Sequence, residues 1–218
     1  MVKETGIITI YQGFIEYLKK EKERIATIIL TGECEDYLVK EFSYYVYKKY
    51  KGQFYFGADI FAIIKNKRRW IDLVLYKGLK KDPTIIGLIE AKHIRSAHKI
   101  WPCDDSDFGT KLEQLSKQIG VIAKRKTLGE GEAKAKLSLT SENRYIYGLL
   151  FAPYVKISGE KQRPEAGFYN LIEKNGKEKK LKNYNSESFK MTKVFENVKI
   201  NYLKKEHIVN LRMALLRK

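Results

Sequence analysis

Two apolar stretches, "RWIDLVLYK" (69–77) and "IIGLIEAKH" (85–93), are separated by the short segment "GLKKDPT". Each has the length and the β-branched and aromatic content of a strand, and the segment between them carries Gly and Asp-Pro turn chemistry. This pair constrains the chain more than any other feature, because it predicts an antiparallel hairpin inside the core. A buried strand should not carry ionised groups without a reason. Yet Asp72 interrupts the first stretch, and Glu90 and Lys92 interrupt the second.

Side chains alternate across a strand, so Trp70, Asp72, Val74 and Tyr76 share one face, and so do Leu88, Glu90 and Lys92. Pairing through residues 78–84 brings Asp72 beside Glu90. Two adjacent carboxylates repel, and each raises the other's proton affinity. A divalent cation removes that conflict. Mg²⁺ is held by one or two carboxylates, with water and phosphate completing its shell. A lysine next to such a cation can contact a scissile phosphate or help activate a water, so the three charges point to metal-dependent phosphodiester cleavage. The competing explanation is a structural ion pair at a sheet edge, where such pairs are common and weak. An E-x-K tripeptide alone carries little information in a chain this rich in Glu and Lys. The preceding strand acid and the apolar flanks raise its specificity.

The flanking elements predict an α/β fold: one domain over residues 1–218, with a mixed β-sheet flanked by helices. Residues 11–30 read as helical, with Phe14, Tyr17 and Leu18 on one side, and 33–50 as an amphipathic helix burying Leu38, Val39, Phe42 and Val46. Residues 53–64 read as a strand. "TKLE" at 110–113 is a capping box that opens a helix to about Lys126, followed by a loop at "GEGEAKAK". The apolar run 144–155 reads as a central strand. Beyond it, 156–218 is expected to form a basic extension, with a hairpin around Asn175-Gly176 and a final helix from about Lys205.

At Ile71-Asp72 and Glu90-Ala91-Lys92 the chain resembles the PD-(D/E)XK nuclease superfamily, the restriction-endonuclease-like group that also includes Holliday-junction resolvases and repair nucleases. The resemblance covers roughly residues 33–155, the α-β-β-β-α-β core, with Ile71 in place of the nominal proline. It implies that Asp72, Glu90 and the Ala91 carbonyl hold Mg²⁺, for which Mn²⁺ can substitute, and that Lys92 is the catalytic lysine. Many members use a glutamate on the first core helix, and Glu35 is the candidate, since it precedes Leu38 and Val39 by three and four residues. Its alternative role is a favourable acid in a first helical turn. Glu41 points elsewhere on the helical wheel. Gln114 and Gln118 are candidates for the accessory glutamine that some members carry on the helix after the E-x-K strand. Asp59 is the runner-up strand acid. His93 lies opposite Lys92 and reads as structural, and His98 stays open.

Charge agrees with a polyanionic partner. Lys and Arg number 43 against 26 acids, a formal +17, which speaks to association rather than fold. Residues 151–218 carry 16 of those bases against 7 acids. The sharpest basic runs are Lys65, Lys67 and Arg68, and then Lys177, Lys179, Lys180 and Lys182. They are candidates for DNA phosphate contacts, or else solvated turns. Cys34 and Cys103 make neither a disulfide framework nor a zinc site. No apolar run approaches the ~20 residues of a membrane span, so a soluble cytoplasmic protein without membrane contact is expected. Together these readings predict a Mg²⁺-dependent DNA endonuclease of restriction type on duplex DNA. The alternatives are a structure-specific nuclease such as a junction resolvase, or a non-catalytic nucleic-acid-binding protein of the same fold. Symmetric double-strand cutting favours a homodimer.

Overall fold

The computed structural model describes residues 5–31, 34–51, 55–64, 67–77, 84–93, 115, 127–129, 136–138, 146–161, 164–178 and 191–217. Three helices open the chain: α1 (Thr5–Lys20), α2 (Lys22–Thr31) and α3 (Cys34–Lys49). The expected single helical run over 11–30 is thus two helices meeting at Glu21, the first beginning near Thr5. Their apolar residues recur at helical spacing. Ile7, Ile10, Phe14 and Leu18 are buried from α1, Ile25, Ala26 and Ile29 from α2, and Leu38, Phe42, Tyr45 and Val46 from α3. Helix α3 carries Glu35 and Asp36 in its first turn and Lys48 and Lys49 in its last, matching the helix dipole at both ends. Gly13 allows α1 to approach α3, because a Cβ there would collide with the Tyr45 hydroxyl.

The strands are β1 (Tyr55–Ile64), β2 (Lys67–Lys77), β3 (Thr84–His93), β4 (Thr127–Gly129), β5 (Lys136–Ser138), β6 (Ile146–Ile157), β7 (Thr192–Tyr202) and β8 (Lys205–Arg217), with a helix α4 (Glu165–Glu178) between β6 and β7. They form one mixed sheet in the order β5-β4-β1-β2-β3-β6-β8-β7. Every neighbouring pair is antiparallel except β3 and β6, which run parallel. The short strands β4 and β5, unexpected from sequence, extend the sheet past β1.

One sheet face rests on α1–α3. Leu73, Leu75, Ile89, Ala91, Leu149, Phe151, Val209, Leu211 and Met213 share a single apolar cluster with Phe14, Leu38 and Phe42. On β6, Ala152 accepts a hydrogen bond from the buried Tyr169 hydroxyl of α4 at 3.0 Å, and the Arg212 guanidinium of β8 lies 3.9 Å above the Tyr169 ring. Leu115, helical and fully buried, is the sole described residue of the helix expected over 110–126.

Two expectations for the last third are corrected. Residues 165–178 form a helix, not a hairpin around Asn175-Gly176. Phe168, Tyr169 and Ile172 are buried at i, i+1 and i+4, and that packing overrides the local turn preference of Asn-Gly. Residues 205–217 form a strand, not a helix. β8 is paired on both sides, with β6 along Tyr147–Ile157 and with β7. Leu211 and Met213 are buried on one face of β8 and Ala214 and Leu216 on the other, so the strand loses the period-two signature that marks a half-buried one. The β7–β8 turn places Leu203 and Lys204 at φ 49° and 61°, the left-handed geometry that a two-residue hairpin requires. Asn-Gly would signal such a turn, but Leu-Lys does not. No helix among the described residues is long and apolar enough to cross a membrane.

Candidate active site

The β2–β3 ladder pairs Leu73 with Ile89 and Val74 with Leu88. Continuing the same register sets Asp72 directly across from Glu90. Leu73, Ile89 and Ala91 belong to the helix-side core, so alternation starts Asp72, Glu90 and Lys92 from the opposite face of their strands, and the Lys92 ammonium reaches back to Glu35 in the first turn of α3. On the other side, β6 runs parallel with Glu90 beside Gly148 and Lys92 beside Leu150. The charges therefore sit in the interior of the sheet and not at its edge.

Asp72 is anchored: its Oδ2 accepts the backbone N–H of Ala91 at 2.7 Å. Glu90 is only 2% exposed, and its Oε2 is buried with no hydrogen-bond partner. Burial, reinforced by the charge of Asp72, pushes the Glu90 carboxyl up to about 9. Burial also raises Asp72, against the opposing pull of the Ala91 N–H and the Lys92 charge. At neutral pH the pair therefore keeps a proton on Glu90, shared towards Asp72. Lys92 donates to Glu35 Oε1 at 2.8 Å and to the Ala91 carbonyl at 2.7 Å. Burial works against its charge, but the hydrogen bond it donates to Glu35 and the neighbouring carboxylates outweigh it and raise the Lys92 pKa.

Asp72, Glu90, Ala91, Lys92 and Glu35 thus come together, from two strands and the first turn of α3. Glu35 accepts a hydrogen bond from Lys92, and its charge also raises the carboxyls of Asp72 and Glu90. Asp59 lies on β1 between Ala58 and Ile60, which pair with Leu73 and Ile71, so the register sets its backbone across from Asp72. Lys67 and Arg68 lie on β2 and Lys177 in the last turn of α4, all with side chains outside the described set. Lys65, Lys179, Lys180, Lys182, Gln114, Gln118 and His98 lie outside the described residues altogether.

Among the described residues, no three His, Cys, Asp or Glu side chains are placed to hold a metal ion by themselves. Asp72, Glu90 and the Ala91 carbonyl offer two carboxylates and one neutral oxygen. That donor set suits Mg²⁺, which takes few protein ligands and keeps water and phosphate. The orphaned Glu90 oxygen is the atom that such a cation would satisfy.

Glu41 is a charged residue whose role was invisible in the sequence. It is buried on α3 and accepts Arg24 Nη1 at 2.7 Å and Nη2 at 2.8 Å, and the Tyr17 hydroxyl at 2.8 Å. Its partners come from α1 and α2, and no local spacing announces them. Compared with known proteins, the chain matches no family model, no curated protein and no solved structure.

Proposed function

We propose that this chain is a Mg²⁺-dependent DNA endonuclease with a restriction-endonuclease-like core. The observation that carries the reading is the pairing of half-buried Asp72 with buried Glu90, one Glu90 oxygen being unpartnered, beside a protonated lysine. In this reading Asp72 and Glu90 hold the cation with the Ala91 carbonyl. Bound Mg²⁺ supplies positive charge at a phosphate and lowers the pKa of a nearby water. Lys92 donates to a non-bridging phosphate oxygen, where charge accumulates as water adds to phosphorus. Glu35 keeps Lys92 charged and aimed. The bond from phosphorus to the 3′ oxygen breaks, that oxygen takes a proton, and the product carries a 5′ phosphate.

The sequence expectation of site-specific duplex cutting rested on an appended basic segment. Strands β7 and β8 instead share the sheet with β6, which favours a structure-specific nuclease as the second reading. Digestion of a long duplex and a four-way junction in parallel with Mg²⁺ tests both. Discrete duplex fragments support site-specific cutting, and cleavage confined to the junction supports the second reading. If neither Mg²⁺ nor Mn²⁺ produces cutting of any DNA form, the enzyme reading fails in favour of a binding protein.

A further inference from the structure

Helix α3 has a solvent face unlike any other among the described residues. Tyr37, Lys40, Tyr44, Tyr47, Lys48 and, just past the helix end, Lys51 are all exposed. The spacing of three, four, three and one residues from Tyr37 to Lys48 keeps these five on one arc of the helix, spanning about 17 Å at 1.5 Å per residue, and Lys51 follows in the turn beyond it. Five large apolar or aromatic side chains are exposed among the described residues, and three are these tyrosines, at 39%, 51% and 55%. Single exposed aromatics need no explanation, but a row of them on one face does. The Lys48 ammonium lies 5.8 Å from the centre of the Tyr44 ring, so cation and ring already share space. The stripe begins two residues after Glu35, which binds Lys92.

We propose that this face of α3 is a stacking platform for single-stranded DNA, leading an unpaired strand towards Asp72, Glu90 and Lys92. The destination rests on the nuclease reading, whereas the binding does not. Aromatic rings interspersed with cations suit a single strand, because unpaired bases offer π-faces and the backbone offers charge. A duplex hides its base faces and can use only the lysines. A membrane surface calls for Leu, Phe or Trp on the buried arc, and this arc has none. A protein partner's interface core is depleted in Lys, while lysines make up half of this stripe.

The test measures fluorescence anisotropy of labelled oligo(dT) and of a duplex of equal length, in EDTA so that nothing is cut. The Tyr37→Ala/Tyr44→Ala/Tyr47→Ala protein is expected to bind oligo(dT) at least about tenfold more weakly, with duplex affinity changed less than about threefold. The corresponding triple Phe protein should bind like wild type. Lys40→Gln/Lys48→Gln/Lys51→Gln should lower the oligo(dT) salt slope by about 2. Melting temperatures check folding, and Tyr44→Ala alone serves if the triple Ala protein melts early. Unchanged oligo(dT) affinity in the Ala variants overturns the proposal. So does equal loss on duplex, or a Phe protein as weak as the Ala one. Tyrosine-dependent binding to phosphatidylserine vesicles in place of oligo(dT) also overturns it, reassigning the face to a membrane. Failure of the nuclease reading looks different: wild type then cuts nothing with Mg²⁺ or Mn²⁺, whatever its affinity for oligo(dT).

Discussion

Helix α3 holds two glutamates six residues apart, each bonded to a cation, and their surroundings are opposite. Glu41 is saturated: both of its oxygens accept charge-assisted or hydroxyl donors from α1 and α2. The Arg24 guanidinium, outweighing burial, holds its carboxyl below the usual range. Glu35 faces a cluster with surplus negative charge, where one lysine serves three carboxyls and Glu90 Oε2 goes unpaired. A satisfied ion pair fastens three helices. An unsatisfied cluster in the sheet interior costs stability, and that deficit is what makes it a candidate for binding something from solution.

The largest expected effect separates the two regions by activity. Asp72→Asn, Glu90→Gln and Lys92→Ala should each reduce DNA cleavage by at least about 100-fold, while Glu41→Gln leaves the cleavage rate per folded molecule near wild type. A cleavage assay at matched folded fraction checks this, and comparable losses at Glu41 would erase the distinction.

Next comes pH. Glu90 has a folded-state pKa raised to about 9 from 4.5, so the folded protein binds its proton more tightly than the unfolded chain does. Stability is then full below about 4.5, falls as pH rises through the window, and levels off above about 9. Glu90→Gln should remove that slope and, without metal, raise stability at pH 8 by roughly 2 kcal/mol or more. Urea unfolding at several pH values measures it. Millimolar Mg²⁺ should stabilise wild type at pH 8 by mass action and leave Glu90→Gln nearly unchanged.

The effects at the saturated pair are smaller. Glu41→Ala should cost about 1–3 kcal/mol, since it strips acceptors from Arg24 and Tyr17. Tyr17→Phe removes the hydrogen bond donated to Glu41 and the one accepted from Arg24 Nη2 at 3.0 Å, and should cost about 0.5–1.5 kcal/mol because Arg24 keeps its bonds to Glu41. Chemical denaturation reads both.

The charged cluster of the candidate site was more legible in the sequence than the last third of the fold. Asp72, Glu90 and Lys92 stood out because charge inside apolar, period-two stretches is costly and so informative. The strands expected over 53–64, 69–77 and 85–93, and the one expected from the apolar run 144–155, lie within two residues of those observed at 55–64, 67–77, 84–93 and 146–157. Residues 205–217 did not, because Leu211, Met213, Ala214, Leu215 and Leu216, broken by Arg212, suit a helix as well as a strand until two flanking strands decide it. At 165–178 the turn preference of Asn175-Gly176 was local, and the packing of Phe168 and Tyr169 that overrode it was not. Arg24 and Glu41 are seventeen residues apart, so no window of helical periodicity contains their pairing.

The parallel β3–β6 ladder has a consequence in time. The β1–β2, β2–β3 and β7–β8 pairs join strands close in the chain, and each can zip locally. β3 and β6 are separated by more than fifty residues, and their ladder couples Glu90 to Gly148 and Lys92 to Leu150. Long-range parallel pairing is slow because chain closure precedes any reward. This seam is therefore expected to close late in refolding, so secondary structure should return before the charged cluster attains its geometry.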